Sequence, residues 1–220
     1  MMIILITTQR LSHSFPLPQT INISNTNIKF KQSVRNLAVT LDSTLSLHQN
    51  VINICWADYL ELRCISSICK YLSVDATNTL VCSLVLSKLD YCNSIMSGSS
   101  QYLLQTLQKV QNTAAWIIFR VSLSEHTSPL FCTLHWLSIR SRNKHRICSL
   151  CFVSLTGSSS IYLSDLAHVY TPAGCLRSSF DTGILNIPII KLKSYGKRSF
   201  AYHGPASGTN CPLHLDTKRH

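Results

Sequence analysis

Two apolar segments joined by a serine-glycine turn constrain the fold of this chain more than any other feature. In the second segment, residues 101–120, apolar side chains recur three and four positions apart, at Leu103, Leu107, Val110, Ala114 and Ile117. That spacing predicts a helix with one apolar stripe. The first segment, residues 74–93, is apolar around most of its circumference and predicts a central buried helix. Gly98, in the intervening SGSS, tolerates the left-handed backbone of a turn.

The rest of the pattern predicts an α+β fold that is mainly α. A small antiparallel sheet is expected within residues 1–45, from strands at 3–7, 21–23, 28–30 and 34–42. A helical bundle is expected at 46–156, with further helices at 47–71 and 139–156. Residues 157–220 are expected to form an irregular tail with short strands at 184–190 and 191–195.

Local signals predict where these elements begin and end. Candidate N-caps for the helix at 47–71 are Ser43, Thr44 and Ser46, and Ser73 is expected to cap the helix that follows. Pro129 predicts short turns between the third and fourth long helices, at 101–120 and 139–156. Near the end of the chain, irregular structure is expected around Pro205, Gly208 and Pro212.

The charge balance favours polyanionic partners. The 220 residues include 20 Lys and Arg against 9 Asp and Glu, a net charge of +11. Such a balance favours nucleic acid first and an acidic membrane surface second. The alternative is that the positive charge affects only solubility and indicates no partner.

Ten cysteines are spread singly through apolar helical patterns, where a free thiol behaves as a small hydrophobe. The first residues, MMIILITTQR, lack the basic region of a secretory signal, and their apolar run is too short for a signal or a membrane span. We therefore expect a protein that is not secreted, with reduced thiols in the nucleus or the cytoplasm and no membrane partner.

The residues offer little for metal or acid–base chemistry. The best metal-like spacing is His145-x-x-Cys148-x-x-Cys151, but a structural zinc site needs a fourth ligand, and buried helix thiols are the alternative. Four of the nine carboxylates stand apart from one another in the sequence, at Asp42, Asp58, Asp75 and Asp90. We expect no catalytic residue, no metal and no cofactor.

A basic run is the more informative feature. It consists of Arg140, Arg142, Lys144 and Arg146, and Trp136 precedes it. On a helix, Arg140 pairs with Lys144 and Arg142 with Arg146, which predicts cations on two adjacent faces. Repeated cations with an aromatic suit a nucleic-acid backbone and its bases. The alternative is a solvated face with Trp136 in the core. A second cluster in the tail, either another phosphate contact or a solvated loop, comprises Lys191, Lys193, Lys197 and Arg198.

The order of several segments resembles the C-terminal part of LINE-type, non-LTR retrotransposon reverse transcriptases. The segments are VRNLAVTLDSTLSLHQNV, YLELRCISSICKYLSVDATNTLVCSLVLSKLDYCNSI, LQKVQNTAAWIIFRV, SPLFCTLHWLSIRSRNKHRI and SFAYHGP. The resemblance extends from about Ile3 to Pro212. It implies that 1–45 is a remnant of the polymerase palm and 46–156 a thumb-like domain.

The same resemblance implies that this piece lacks polymerase activity. The family's Ala-Asp-Asp motif, which holds the catalytic metal ions, has no counterpart in these residues. The sequence also departs from the family pattern: Ala38 replaces a Gly, Trp116 replaces an Arg and Ser138 replaces a Pro. Further departures are Cys64, Cys69 and Gly208. They indicate a decayed, truncated copy.

Three functions remain open on the sequence alone. The first is a reverse-transcriptase remnant that binds RNA, DNA or an RNA–DNA duplex without sequence preference. The second is a protein-interaction module with no nucleic-acid role. The third is the product of a pseudogene without function, for which aggregation is expected because apolar surface would stay exposed.

Overall fold

The computed structural model describes residues 3–7, 18–23, 25–170, 185–191 and 196–208. Its strands are β1 (Ile3–Ile4), β2 (Thr20–Ile23), β3 (Thr26–Lys31), β4 (Ser33–Asn36) and β5 (Val39–Asp42). Its α-helices are α1 (His48–Ile68), α2 (Val74–Val81), α3 (Ser87–Asp90), α4 (Gln101–Phe119), α5 (Thr127–Leu134), α6 (Ile139–Leu155), α7 (Ile161–Ser164) and α8 (Phe200–Gly208). The predicted class, α+β and mainly α, is confirmed.

Contacts divide the chain into two compact units. The first unit is Met1–Cys92 with Ser99–Trp136, and the second is Asn93–Gly98 with Leu137–His220. The division expected from the sequence pattern and the family resemblance, at 1–45, 46–156 and 157–220, stays a prediction. None of the helices in the described ranges combines the length and apolarity needed to cross a bilayer.

The strands lie at the N-terminus as predicted, but they form two small sheets rather than one. β2 and β3 make the expected hairpin, and β1 pairs with β3 in parallel. Residues 34–42, predicted as one strand, form the separate hairpin β4–β5. Its turn residues Leu37 and Ala38 have φ values of 45° and 62°, as the two central positions of a type I′ turn require. The sequence signal for that turn was missing because neither residue is Gly or Asn.

Helix α1 begins in an unexpected way. None of Ser43, Thr44 and Ser46 is its N-cap; Leu47 occupies that position with φ 62° and no side-chain cap. The side chain of Asp42 instead accepts hydrogen bonds from the backbone N–H groups of Ser46 and Leu47, both at 2.9 Å. A carboxylate beside the helix N-terminus is also favoured by the helix dipole. Asp42, which the sequence placed at the end of a strand, therefore anchors the start of α1.

The predicted helical pair is present in the first unit. The first member runs from α2 through a π-helical turn, Cys82–Leu86, into α3, and it ends at Asp90 rather than at residue 93. Ser73 caps it as expected, accepting a hydrogen bond from the Ala76 N–H at 3.2 Å. The second member, α4, packs on α1 and α2 and buries the stripe predicted for it, except Ile117. The Arg120 guanidinium donates to the backbone carbonyls of Cys69 and Leu72, just after α1.

Two proline-containing segments were predicted to be irregular and are helical instead. Pro129 lies in the first turn of α5, where its missing N–H removes no intrahelical hydrogen bond. Pro205 lies within α8, which packs on α6 in the second unit. The close approach is made by Gly204, where an added Cβ would lie 2.5 Å from Cys151 Sγ. Helix α8 therefore forms where it packs against α6, although its Gly and Pro residues disfavour a helix.

The predicted tail strands are mostly absent from the described part of the chain. Between 185 and 191 the only pairing is an isolated bridge from Leu185 to Val169. Residues 184 and 192–195 lie outside the described residues. The predicted helix at 139–156 is present as α6, and Ser138 caps it by accepting a hydrogen bond from the Ser141 N–H at 3.3 Å.

Candidate nucleic-acid interface

The basic run lies on α6. Helical spacing places the buried residues of this helix on one side and most of its cations elsewhere on its surface. Its buried residues recur three and four positions apart and face the second unit's interior: Ile139, Asn143, Ile147, Cys151 and Ser154. Arg140, Lys144 and Arg146 are exposed, and Arg142 is half-buried. The helix therefore holds four cations on a scaffold that is anchored along its whole length.

The four cations form two rows, and the prediction of adjacent faces was wrong. At 3.6 residues per turn, the Arg140–Lys144 row and the Arg142–Arg146 row lie about 160° apart around the axis. Residue pairs four apart share a face, but the buried stripe runs between the two rows. One straight phosphate backbone can contact one row well and can reach the second only by bending around α6.

Within the second row, Arg142 is held close to the helix start. Its Nε donates a hydrogen bond to the Leu137 carbonyl oxygen at 3.1 Å. This contact uses one of the five guanidinium N–H donors.

Trp136 is buried, with 9% of its surface exposed. Its ring centroid lies 6.0 Å from that of Phe131 on α5, with the ring planes tilted by 54°. This packing within the first unit favours the alternative in which Trp136 anchors the core. A base could stack on the ring only after the side chain left that position.

The structure describes three of the four tail cations. Lys191 and Lys197 are exposed, and Lys193 lies outside the described residues. Arg198 is half-buried because its stem covers Gly98, where an added Cβ would lie 2.9 Å from Arg198 Cγ. Gly98 has φ 73°, so it supplies both the turn and the space for this stem.

The two units differ in their balance of positive and negative side chains. In its described residues the second unit carries seven Lys and Arg but one carboxylate, Asp165. The described part of the first unit carries eight Lys and Arg and six carboxylates. The excess positive charge of the described chain therefore lies mainly in the second unit. Such a one-sided distribution is the electrostatic pattern that attracts a polyanion.

The metal-like spacing on α6 is not a cluster in three dimensions. Within the described ranges, no three His, Cys, Asp or Glu side chains come together so that they could hold a metal ion. His145 is exposed, whereas Cys151 is buried. Burial, with a smaller contribution from Cys148, raises the pKa of the Cys151 thiol to about 11. A thiol that stays protonated is a poor ligand, because the thiolate is the form that binds metal.

Three of the four carboxylates that stand apart in the sequence have different structural positions. Asp75 lies in the first turn of α2, and Asp90 ends α3. Asp58 is buried in the first unit, with Oδ1 3.9 Å from Lys88 Nζ, and Lys88 Nζ lies 3.3 Å from Glu61 Oε1. The sequence contained a signal for this group, since residues 58 and 61 share a helical face.

Sequence reasoning also missed an apolar groove in the first unit. It lies between the β4–β5 hairpin, α1 and α3, with a volume of about 860 Å³. The missed signal was a second apolar stripe on α1, beside the buried one: Ile52, Trp56, Tyr59 and Leu60.

No protein-family model, curated protein or solved structure matches this chain. The resemblance to LINE-type reverse transcriptases therefore remains an expectation that depends on the order of the sequence segments.

Proposed function

We propose that the chain is an inactive remnant of a LINE-type reverse transcriptase whose second unit binds nucleic acid without sequence preference. The observation that carries the binding proposal is the ratio of seven cations to one carboxylate in the described second unit. Four of those cations are presented by α6. A surface of this kind neutralises phosphates and releases their counterions, which requires no base-specific contact.

The proposal includes no polymerase activity and a nuclear or cytoplasmic location. The expectation of inactivity comes from the missing Ala-Asp-Asp motif, because the two-metal mechanism needs clustered carboxylates. The location is supported by the eight described cysteines, all of which are free thiols. Primer extension on an RNA template with magnesium or manganese tests the first point, and activity above that of heat-killed protein contradicts it.

The binding test exploits the separation of the two rows. We expect an RNA–DNA duplex to bind with a Kd of roughly 10⁻⁴ to 10⁻⁶ M near physiological salt. Two variants, Arg140→Gln with Lys144→Gln and Arg142→Gln with Arg146→Gln, each remove one row. On duplex DNA, each row engaged contributes a log–log salt slope of roughly −2, from about −0.9 per phosphate contact. Fluorescence anisotropy across a salt series measures both quantities.

A matched control removes two exposed cations from the first unit. Lys29→Gln with Lys109→Gln changes the net charge by the same amount as each row variant. We expect this control to change affinity and slope less than the stronger row variant does. Equal losses in all three variants would mean that net charge alone drives binding, and α6 would then be an ordinary solvated helix.

A further inference from the structure

Helix α1 carries two apolar stripes, and the core of the first unit covers one of them. The covered stripe includes Val51, Cys55, Leu62 and Ile65. The second stripe consists of Ile52, Trp56, Tyr59 and Leu60, at positions i, i+4, i+7 and i+8, and it is exposed. Trp56 has 69% of its surface exposed, which is unusual for so large an apolar side chain. Exposed residues at helical spacing form a surface that a second helix can pack against.

Part of this stripe forms one wall of the groove. Ile52 and Trp56 line it from α1, Val39 from β5 and Tyr91 from the end of α3. Its volume, about 860 Å³, is large enough to receive several side chains of a partner. The lining is mainly apolar, and its charged members are the cations Arg35 and Lys88.

Hydrogen bonds hold the walls of the groove in place. The Thr40 N–H donates to Asn50 Oδ1 at 2.9 Å, and Asn53 Nδ2 donates to Thr40 Oγ1 at 3.3 Å. These bonds fasten β5 to α1. Across the groove, Tyr91 Oη donates to the Leu37 carbonyl oxygen at 2.9 Å. The groove is therefore formed before any partner arrives, which reduces the entropic cost of binding.

The charged residues near the groove favour one kind of binding partner over others. Lys88 is paired with Glu61 at 3.3 Å, so the cations that bear on a partner are Arg35 in the lining and Arg63. Arg63 follows Tyr59 by four positions on the exposed face of α1. A second copy of this chain would bring the same cations and a further net charge of +11 toward the groove. A nucleic-acid strand would place phosphates against a stripe that is mostly aliphatic and aromatic. A helix with apolar residues along one face and carboxylates beside them satisfies both the stripe and the cations.

We propose that this groove is a docking site for an acidic amphipathic helix of a partner protein. The partner's large apolar side chains pack on Ile52, Trp56 and Tyr91, and its carboxylates lie near Arg35 and Arg63. The site is in the first unit, so it does not depend on the nucleic-acid binding proposed for the second.

Three synthetic peptides of equal length test this with the full chain. The first has Leu and Phe at helical spacing with Glu at the flanking positions. The second replaces Glu by Lys, and the third has the composition of the first in an order without a stripe. By fluorescence anisotropy, we expect the first to bind at least tenfold more tightly than either of the others. Equal binding of the first and third peptides overturns the proposal, because charge alone would then explain binding.

Variants locate the binding to the groove. Trp56→Ala is expected to weaken the first peptide at least tenfold, with an unchanged circular dichroism spectrum because the side chain is exposed. Tyr102→Ala, on α4 and with 67% exposure, is the matched control and is expected to have no effect. The proposal fails if Trp56→Ala binds the peptide as the original chain does. It also fails if this variant instead disperses a dimer or loses affinity for poly(U), since the occupant would then be a second copy or a nucleic acid.

Discussion

Replacing Asp58 by Asn is expected to stabilise the protein at neutral pH. The Asp58 side chain is fully buried on α1, and neither of its oxygens accepts a hydrogen bond from any described residue. Lys88 Nζ lies 3.9 Å from Oδ1, beyond hydrogen-bond distance, and donates to Glu61 Oε1 instead. A carboxylate in such surroundings is costly to ionise, because the interior replaces none of the hydration that it loses.

The size of the effect follows from the pKa. Burial is the largest influence and raises the pKa of Asp58; Lys88 lowers it and Glu61 raises it, and the result is about 7 against an ordinary 3.8. Each unit of difference corresponds to about 1.36 kcal/mol, so ionisation of Asp58 costs the folded state roughly 4 kcal/mol. Between pH 4 and pH 7 the unfolded chain loses this proton and the folded chain keeps it. The contribution of Asp58 to stability therefore falls as pH rises through that window and is level on either side of it.

The assay compares free energies of unfolding in urea at pH 4, 5, 6, 7 and 8. Asp58→Asn keeps the shape and remains neutral at every pH, so the two proteins should be similarly stable at pH 4. At pH 8 the variant should be more stable by a few kcal/mol, on the order of the 4 kcal/mol above. Because all other titrating groups are common to both proteins, the difference between the curves reports Asp58 alone.

Glu61→Gln is the control for this experiment. Glu61 contacts the same lysine, but its side chain is 38% exposed, so its ion pair should contribute less than about 1 kcal/mol. Parallel curves for the original protein and Asp58→Asn from pH 4 to pH 8 would refute the reasoning. So would a loss of stability at pH 8, which would show that Lys88 approaches Asp58 and compensates its charge.

Three further changes test the packing and turns. Ala38→Gly should raise the free energy of unfolding in urea by about 1 kcal/mol, because Ala38 has φ 62° in the β4–β5 turn; a decrease would contradict this. Gly204→Ala should cost about 1–3 kcal/mol through its overlap with Cys151 Sγ, and Cys151→Ala in the same chain should recover part of the loss; additive losses would contradict this. Asp42→Ala should cost about 1 kcal/mol at pH 7, measured in urea, as loss of a helix-capping acceptor does. Partial burial raises the pKa of Asp42, but hydrogen bonds from Thr44, Ser46 and Leu47 outweigh it and lower that pKa to about 2. Its stabilisation should thus fade as pH falls from about 4 toward 2, and a loss that persists at pH 2 would contradict the role of its charge.

Much of the helical part of the fold could be predicted because its signals are local. The spacing of apolar residues located α4 and α6 to within one or two residues. Ser73 caps its helix as predicted, since a cap needs only a side-chain oxygen within reach of the next turn. The cations of the candidate interface were likewise identified from the sequence alone.

Other features depended on which elements pack together. Alternation of apolar and polar residues is the same in one strand and in the two arms of a hairpin, so residues 34–42 carried no local sign of a turn at Leu37 and Ala38. Position 58 fits the apolar stripe of α1, but only the packing of other elements over that stripe removes its carboxylate from water. Likewise, packing covers the Val51 stripe of α1 and leaves the Trp56 stripe exposed. Helix spacing and capping act over one turn and can be seen in a sequence, whereas burial belongs to pairs of distant segments and is decided only by the tertiary structure.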